Sequence, residues 1–175
     1  RGRSFSKDTS PGREPMMSNP ENVLDKIVAT KRIEIEQARS ARPLDELRRE
    51  LPDAPPVRDF FSALAAEGPI KLIAEVKKAS PSRGLLRPNF DPVELADTYS
   101  SNGAAAISVI TNVDHFAGSL RDLEQVSTAM APRGVPVLRK DFVFDEYQVY
   151  EARAYGADAI LLIVAILTPQ TLEDL

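Results

Sequence analysis

At 175 residues, 43% of them hydrophobic and 27% charged, the chain has the length of one domain and the composition of a globular core. A net charge of -4 argues against a general nucleic-acid binder, which would carry a basic face, and no apolar run approaches the roughly 20 residues of a membrane span. The absence of Cys excludes disulfides and thiolate metal sites and suits a cytoplasmic setting; with no cluster at metal-ligand spacing, neither a metal nor a cofactor is expected.

Residues 1–17 mix Arg, Ser, Gly and Pro with little apolar content and read as a disordered leader. Residues 18–68 read as a helical extension. Asn19 caps and Pro20 opens a first helix whose apolar stripe is Leu24, Ile27, Val28, Ile35 and Ala38, with a charged opposite face. A shorter helix over residues 43–51 carries Leu44, Leu47 and Leu51 in register. After a Pro-rich connector, a third helix holds Phe60, Phe61 and Leu64 and is stopped by Gly68.

From residue 69 the pattern becomes strand, loop, helix, repeated at roughly thirty-residue spacing. Strands are expected over 71–76, 105–110, 135–139 and 159–164. Asp91 to Glu94 and Asp145 to Gln148 have capping-box spacing, Ser119 can cap with Asp122 at the third position, and Thr168-Pro169 opens the last helix. Gly103, Gly134 and Gly156 stand where a left-handed helix stop is wanted, just before the next strand. Periodicity alone allows either a doubly wound sheet or a barrel.

The charges decide between them. Strand side chains alternate faces, so Glu75 and Lys77 share a side with Ile73, and Lys140 shares one with Leu138 and Phe142. Barrel enzymes gather reactive residues from the C-terminal ends of several strands, which is where these charges fall. The plain alternative is a structural ion pair at a strand end. The following Ser80-Pro81-Ser82-Arg83-Gly84 has the composition of a ligand-wrapping turn. Lys78 should face solvent, Asp141 faces away from Lys140 and reads as structural, with a supporting role behind the site as the alternative, and His115 reads as a solvated loop residue.

These stretches resemble the indole-3-glycerol-phosphate synthase family. The matching segments are Glu75-Val-Lys77-Lys-Ala-Ser80-Pro81-Ser82, Ser108-Val-Ile-Thr111, Phe116-Ala-Gly118-Ser119, Pro136-Val-Leu-Arg-Lys140-Asp141-Phe142, and Gly156 to Val164. The resemblance implies a TIM (β/α)8 barrel preceded by a helical extension, acting on 1-(2-carboxyphenylamino)-1-deoxyribulose 5-phosphate in tryptophan biosynthesis. It implies Lys140 as general acid for ring closure, Lys77 as partner of the substrate carboxylate and acid in dehydration, and Glu75 as acceptor from the anilino nitrogen. Ser80 and its loop would close over the substrate, and Phe116, Phe142 and Leu161 would form the slot for its ring. For Phe116 and Leu161 plain core packing is the competing reading.

A whole barrel of this kind takes about 250 residues, so residues 69–175 are expected to hold its first four strands, and the chain by itself is expected to be inactive. The family's second catalytic glutamate and its phosphate loops would lie on later strands. The expected partners are the anionic sugar-phosphate substrate, and a complementary C-terminal half or a fused or associated tryptophan-pathway enzyme, with no nucleic acid and no membrane. A non-catalytic half-barrel assembly module is the alternative of a different class. Another sugar-phosphate barrel, such as a phosphoribosylanthranilate isomerase relative, would need a cysteine that the chain lacks.

Overall fold

A computed structural model describes residues 23–175, so the leader over residues 1–17 and the helix start at Asn19 and Pro20 lie outside the described residues. Helix α1 (Val23–Ala41) buries Ile27 and Ile35 as its stripe requires, but it also buries Lys31, one turn from each. Helix α2 (Leu44–Glu50) buries Leu47 completely and passes into a 3-10 turn at Leu51–Asp53. Helix α3 (Phe60–Ala65) is capped by Asp59, whose carboxylate accepts from Ser62 N–H. It ends before the expected stop, because Ala66 is already extended; Gly68, at φ 115°, turns the connection instead.

Four parallel strands follow in the order β1 (Ile73–Val76), β4 (Ala106–Ile110), β5 (Val137–Val143) and β6 (Ala159–Leu162). Between β1 and β4 lie a two-stranded antiparallel hairpin, β2 (Ala79–Ser80) with β3 (Gly84–Leu85), and helix α4 (Pro92–Ser101). The hairpin replaces the plain turn expected there, since Gly84 at φ 63° lets the chain fold back so that Leu86 N–H reaches Lys78 O. Helices α5 (Val113–Phe116) and α6 (Leu120–Met130) connect β4 to β5, α7 (Glu146–Ala154) connects β5 to β6, and α8 (Pro169–Asp174) follows a 3-10 turn at Val164–Ile166.

The expected caps form. Asp91 accepts from Val93 and Glu94 N–H, Ser119 from Asp122 N–H and Thr168 from Thr171 N–H, while the Asp145 and Gln148 box closes in both directions. Each such cap contributes about 1 kcal/mol.

One face of the sheet packs on helices. Ala74, Val76, Ile107, Val109 and Val137 join Leu95 and Ala96 of α4, Leu123, Val126 and Met130 of α6, and Ala152 of α7 in one buried cluster. Helices on a single face of a parallel sheet build a partial barrel wall, because a doubly wound sheet would be sandwiched on both sides. A second, smaller cluster of Ile35, Leu47 and Tyr147 docks α1 and α2 on α7. Arg32, Arg39, Arg42 and Arg48 lie over the rings of Phe144, Tyr147, Tyr155 and Tyr150 along that seam. No helix among the described residues is long and apolar enough to cross a membrane.

Candidate active site

The concave face of the sheet carries the charges. In the ladder Glu75 stands beside Ser108 and Ile110 beside Lys140, so β4 separates the carboxylate from the amine with only a small side chain at Ser108. Lys140 Nζ reaches across to donate to Glu75 Oε2, and Lys77 Nζ meets Glu75 Oε1 at 2.9 Å. One carboxylate therefore holds two ammonium groups, one from just past the end of β1 and one from within β5. Partial burial of Glu75 raises its pKa, but the hydrogen bonds from Lys140 and Lys77 outweigh this and hold the carboxyl below the ordinary range.

Apolar side chains enclose this triad. Phe116, Phe142, Leu161, Ile110 and Ile163 join Glu75, Lys77, Lys140, Asn112 and Asp141 around a pocket of about 110 Å³. That is smaller than the roughly 300–1,000 Å³ of a small-molecule site. Phe116 is delivered by α5, a helical turn where a loop was expected. Asn112 caps that turn by accepting from His115 N–H, and Ala117 closes it in the left-handed conformation. The chain then passes so close to β4 that a Cβ on Gly118 would lie 2.2 Å from Ile110 O, which restricts the position to glycine.

Strand β5 runs to Val143, four residues beyond its expected end, so Lys140 lies within the strand. Pairing with β6 slips here: from Arg139↔Ile160 to Val143↔Leu162 the chain advances four residues on β5 but two on β6. Within this bulge Phe142 N–H donates to Asp141 Oδ1 at 2.9 Å. Asp141 is buried and also accepts from Thr111 Oγ1 at 2.7 Å, from Lys31 Nζ at 3.1 Å and from Arg139 at 3.2 Å. Burial raises the Asp141 pKa, yet the charges of Arg139 and Lys31 and the hydrogen bonds from Thr111 and Phe142 prevail and keep it low. Arg139 in turn donates to Glu151 at 2.9 Å and to Gln148 O.

Among the described residues, no three His, Asp or Glu side chains converge as a metal site would require.

Residues 24–175 match the family model described as indole-3-glycerol phosphate synthase. Proteins bearing that name are 56% identical to the chain in Roseiflexus castenholzii, 48% in Dehalococcoides mccartyi and 49% in Laribacter hongkongensis. The chain belongs to the indole-3-glycerol phosphate synthase family. These alignments cover 89%, 87% and 87% of this chain and 59%, 59% and 58% of the respective relatives, so the chain spans well under two thirds of their length.

Of the seven residues that the family resemblance marked, Glu75, Lys77, Lys140, Phe116, Phe142 and Leu161 line the one pocket. Ser80 does not: it is half-buried in β2, paired with Gly84, and stands off the wall. Lys78, expected in solvent, is half-buried with its amine 5.9 Å from the Phe90 ring centroid. His115 is half-buried on α5. The sequence reading missed Ile110 and Ile163, whose alternation with neighbouring core residues was a usable signal, and Asn112, whose capping of a four-residue helix left no pattern.

Proposed function

We propose that this protein, in its complete form, is an indole-3-glycerol-phosphate synthase, and that the four strands are the first half of its (β/α)8 barrel. The observation that supports this most is the convergence of Lys77 and Lys140 on Glu75 beside an aromatic-lined wall. The substrate would be 1-(2-carboxyphenylamino)-1-deoxyribulose 5-phosphate, an anion with a flat ring and a ketone.

Its carboxylate would take over one of the amines that Glu75 now holds, and Lys77 suits this role. With the ring held by Phe116, Phe142 and Leu161, the carbon bearing the carboxylate would lie near the ketone carbon, the proximity that ring closure needs. As the new carbon–carbon bond forms, Lys140 donates a proton to the ketone oxygen, leaving a hydroxyl. Carbon dioxide departs and the ring becomes aromatic again. The hydroxyl then leaves as water on protonation by Lys77, the adjacent methylene gives a proton to the Lys140 amine that ring closure left neutral, and the indole double bond results. Glu75 accepts from the anilino N–H and keeps the amines charged between steps.

Ser80 and its hairpin would close over the substrate. A cytoplasmic location and a role in tryptophan biosynthesis follow from the same reading. The 175-residue chain assayed alone should be inactive, and activity should appear on mixing with a complementary C-terminal half.

Conversion of the substrate, followed by indole fluorescence, tests the assignment. The complete protein should turn it over; no turnover, with the fold intact by circular dichroism, would reject the reading.

A further inference from the structure

The buried Lys31 is the least expected charge in the molecule. It sits at the centre of the apolar stripe of α1, one turn from Ile27 and one from Ile35, and is 1% exposed. A leucine or methionine would pack there at no electrostatic cost, and a buried ion pair is weak evidence of stabilisation, because desolvation offsets most of the attraction. What Lys31 does touch is specific: both oxygens of Asp141 at 3.1 Å, and Glu34 at 2.7 Å on its own helix.

Asp141 is adjacent to Lys140 in the chain and faces the other side of β5. Its carboxylate holds Phe142 N–H inside the bulge, and Thr111, which donates to that carboxylate through Oγ1, also donates its own N–H to Lys140 O at 3.1 Å. The two peptide groups that follow Lys140 are thus fastened to one buried cluster. A bulge beside a reactive residue re-aims its side chain, and here the bulge is pinned by a carboxylate that needs cations around it. Arg139 on the same strand is one; Lys31, from a helix outside the sheet, is the other.

We infer that Lys31 is a positioning residue: acting through Asp141, it sets the β5 bulge that aims the Lys140 amine at Glu75 and the pocket, which makes α1 a working part of the site. The inference rests on the proposed role of Lys140 and extends it to a helix that contributes no residue to the Glu75–Lys77–Lys140 pocket.

The test compares Lys31→Met with Arg58→Met in the complete protein, well below both melting points. Arg58 is the matching control, because it also serves a buried aspartate, Asp158, but at the opposite end of β5. Lys31→Met should lower kcat about tenfold or more, as small misplacements of a reacting group do, with KM within about threefold of wild type. Arg58→Met should leave kcat within about twofold despite its lower melting point. In parallel, amide exchange at Phe142 should speed up in Lys31→Met and not in Arg58→Met. Equal kcat losses in both variants, or an unchanged kcat in Lys31→Met, would overturn the inference. If the wild type shows no synthase activity, the functional reading fails separately, and the Phe142 exchange rate still decides whether Lys31 holds the bulge: unchanged exchange rejects it.

Discussion

One buried aspartate side chain braces the start of strand β5 and another lies two residues before its end, and the two surroundings differ in what they hold. At its start, Asp158 Oδ2 accepts from Val137 N–H at 2.7 Å and from Arg58 Nε, while Oδ1 accepts from Arg58 N–H. The rest of the Arg58 guanidinium donates to Ser127 O, Ser127 Oγ and Gly156 O. A Cβ on Gly156 would lie 2.5 Å from Ser127 Oγ, so the knot leaves no room for a side chain there. These bonds join the start of β5, the last turn of α6, Gly156 just past the end of α7 and the chain before α3. Toward the far end, Asp141 has the same kind of partners, yet its carboxylate and its partner Thr111 hold the two peptides that follow Lys140. The lower cluster ties the chain before α3 to the wall; the upper one ties α1 to the site. In barrels the N-terminal ends of strands serve stability and the C-terminal ends serve chemistry, and the same residue types take either role according to the end they occupy.

The largest effect should come from breaking the lower cluster. Arg58→Met leaves the Asp158 carboxylate buried without its cation, and removing one partner of a buried pair costs about 3–5 kcal/mol. Chemical denaturation should show a loss of that size, with turnover unchanged under native conditions. A loss below about 1 kcal/mol, the range of a surface pair, would deny the cluster its structural role. Lys140→Met should do the reverse, lowering kcat by at least about 10²-fold, the effect of a lost general acid, with little change in stability because Lys140 is 41% exposed. Turnover close to wild type would remove Lys140 from the mechanism.

The sequence carried much of this. Alternation placed Glu75, Lys77 and Lys140 on one face, and capping residues with glycine stops marked the βα units, because local periods of two and 3.6 survive packing. The slip between β5 and β6 was not legible, since a bulge depends on the partner strand and leaves the run from Val135 to Arg139 looking complete. Lys31 was legible in principle: residues 27, 31 and 35 recur at four-residue spacing, but a lysine in an apolar stripe is read as solvated until its partner, 110 residues away, is known. The α5 turn and the β2–β3 hairpin are too short for any period to show.

A finer cut through the upper cluster is Thr111→Val, which keeps the shape and removes one hydroxyl. Thr111 Oγ1 donates to Asp141 and accepts from Arg139 Nε at 3.1 Å, so two charged groups each lose a bond. Stability should fall by about 1.5–3 kcal/mol, the range for hydrogen bonds to charged groups. The drop in kcat should be smaller than for Lys31→Met, because the Thr111 N–H to Lys140 O bond survives. A drop as large as that of Lys31→Met would mean that the hydroxyl, and not the cation from α1, sets the bulge.

The smallest effect separates the ends of β5 by acid. In the folded protein Asp141 titrates below its ordinary value, which is about 3.9 in an unfolded chain. A carboxyl depressed in this way contributes stability that is fully present above the unfolded pKa and is lost as the pH falls through the folded one. Asp141→Asn keeps an oxygen that can accept from Phe142 N–H but has no charge to titrate. Wild type should therefore be the more stable at neutral pH, and its advantage over Asp141→Asn should shrink as the pH is lowered from about 6 to about 3. Glu75 is depressed as well, but it is present in both proteins and cancels from the difference. Melting points of the two proteins across that range decide the matter. A constant gap would mean that Asp141 is not held charged by Arg139 and Lys31, and would remove the electrostatic link between α1 and the Lys140 strand.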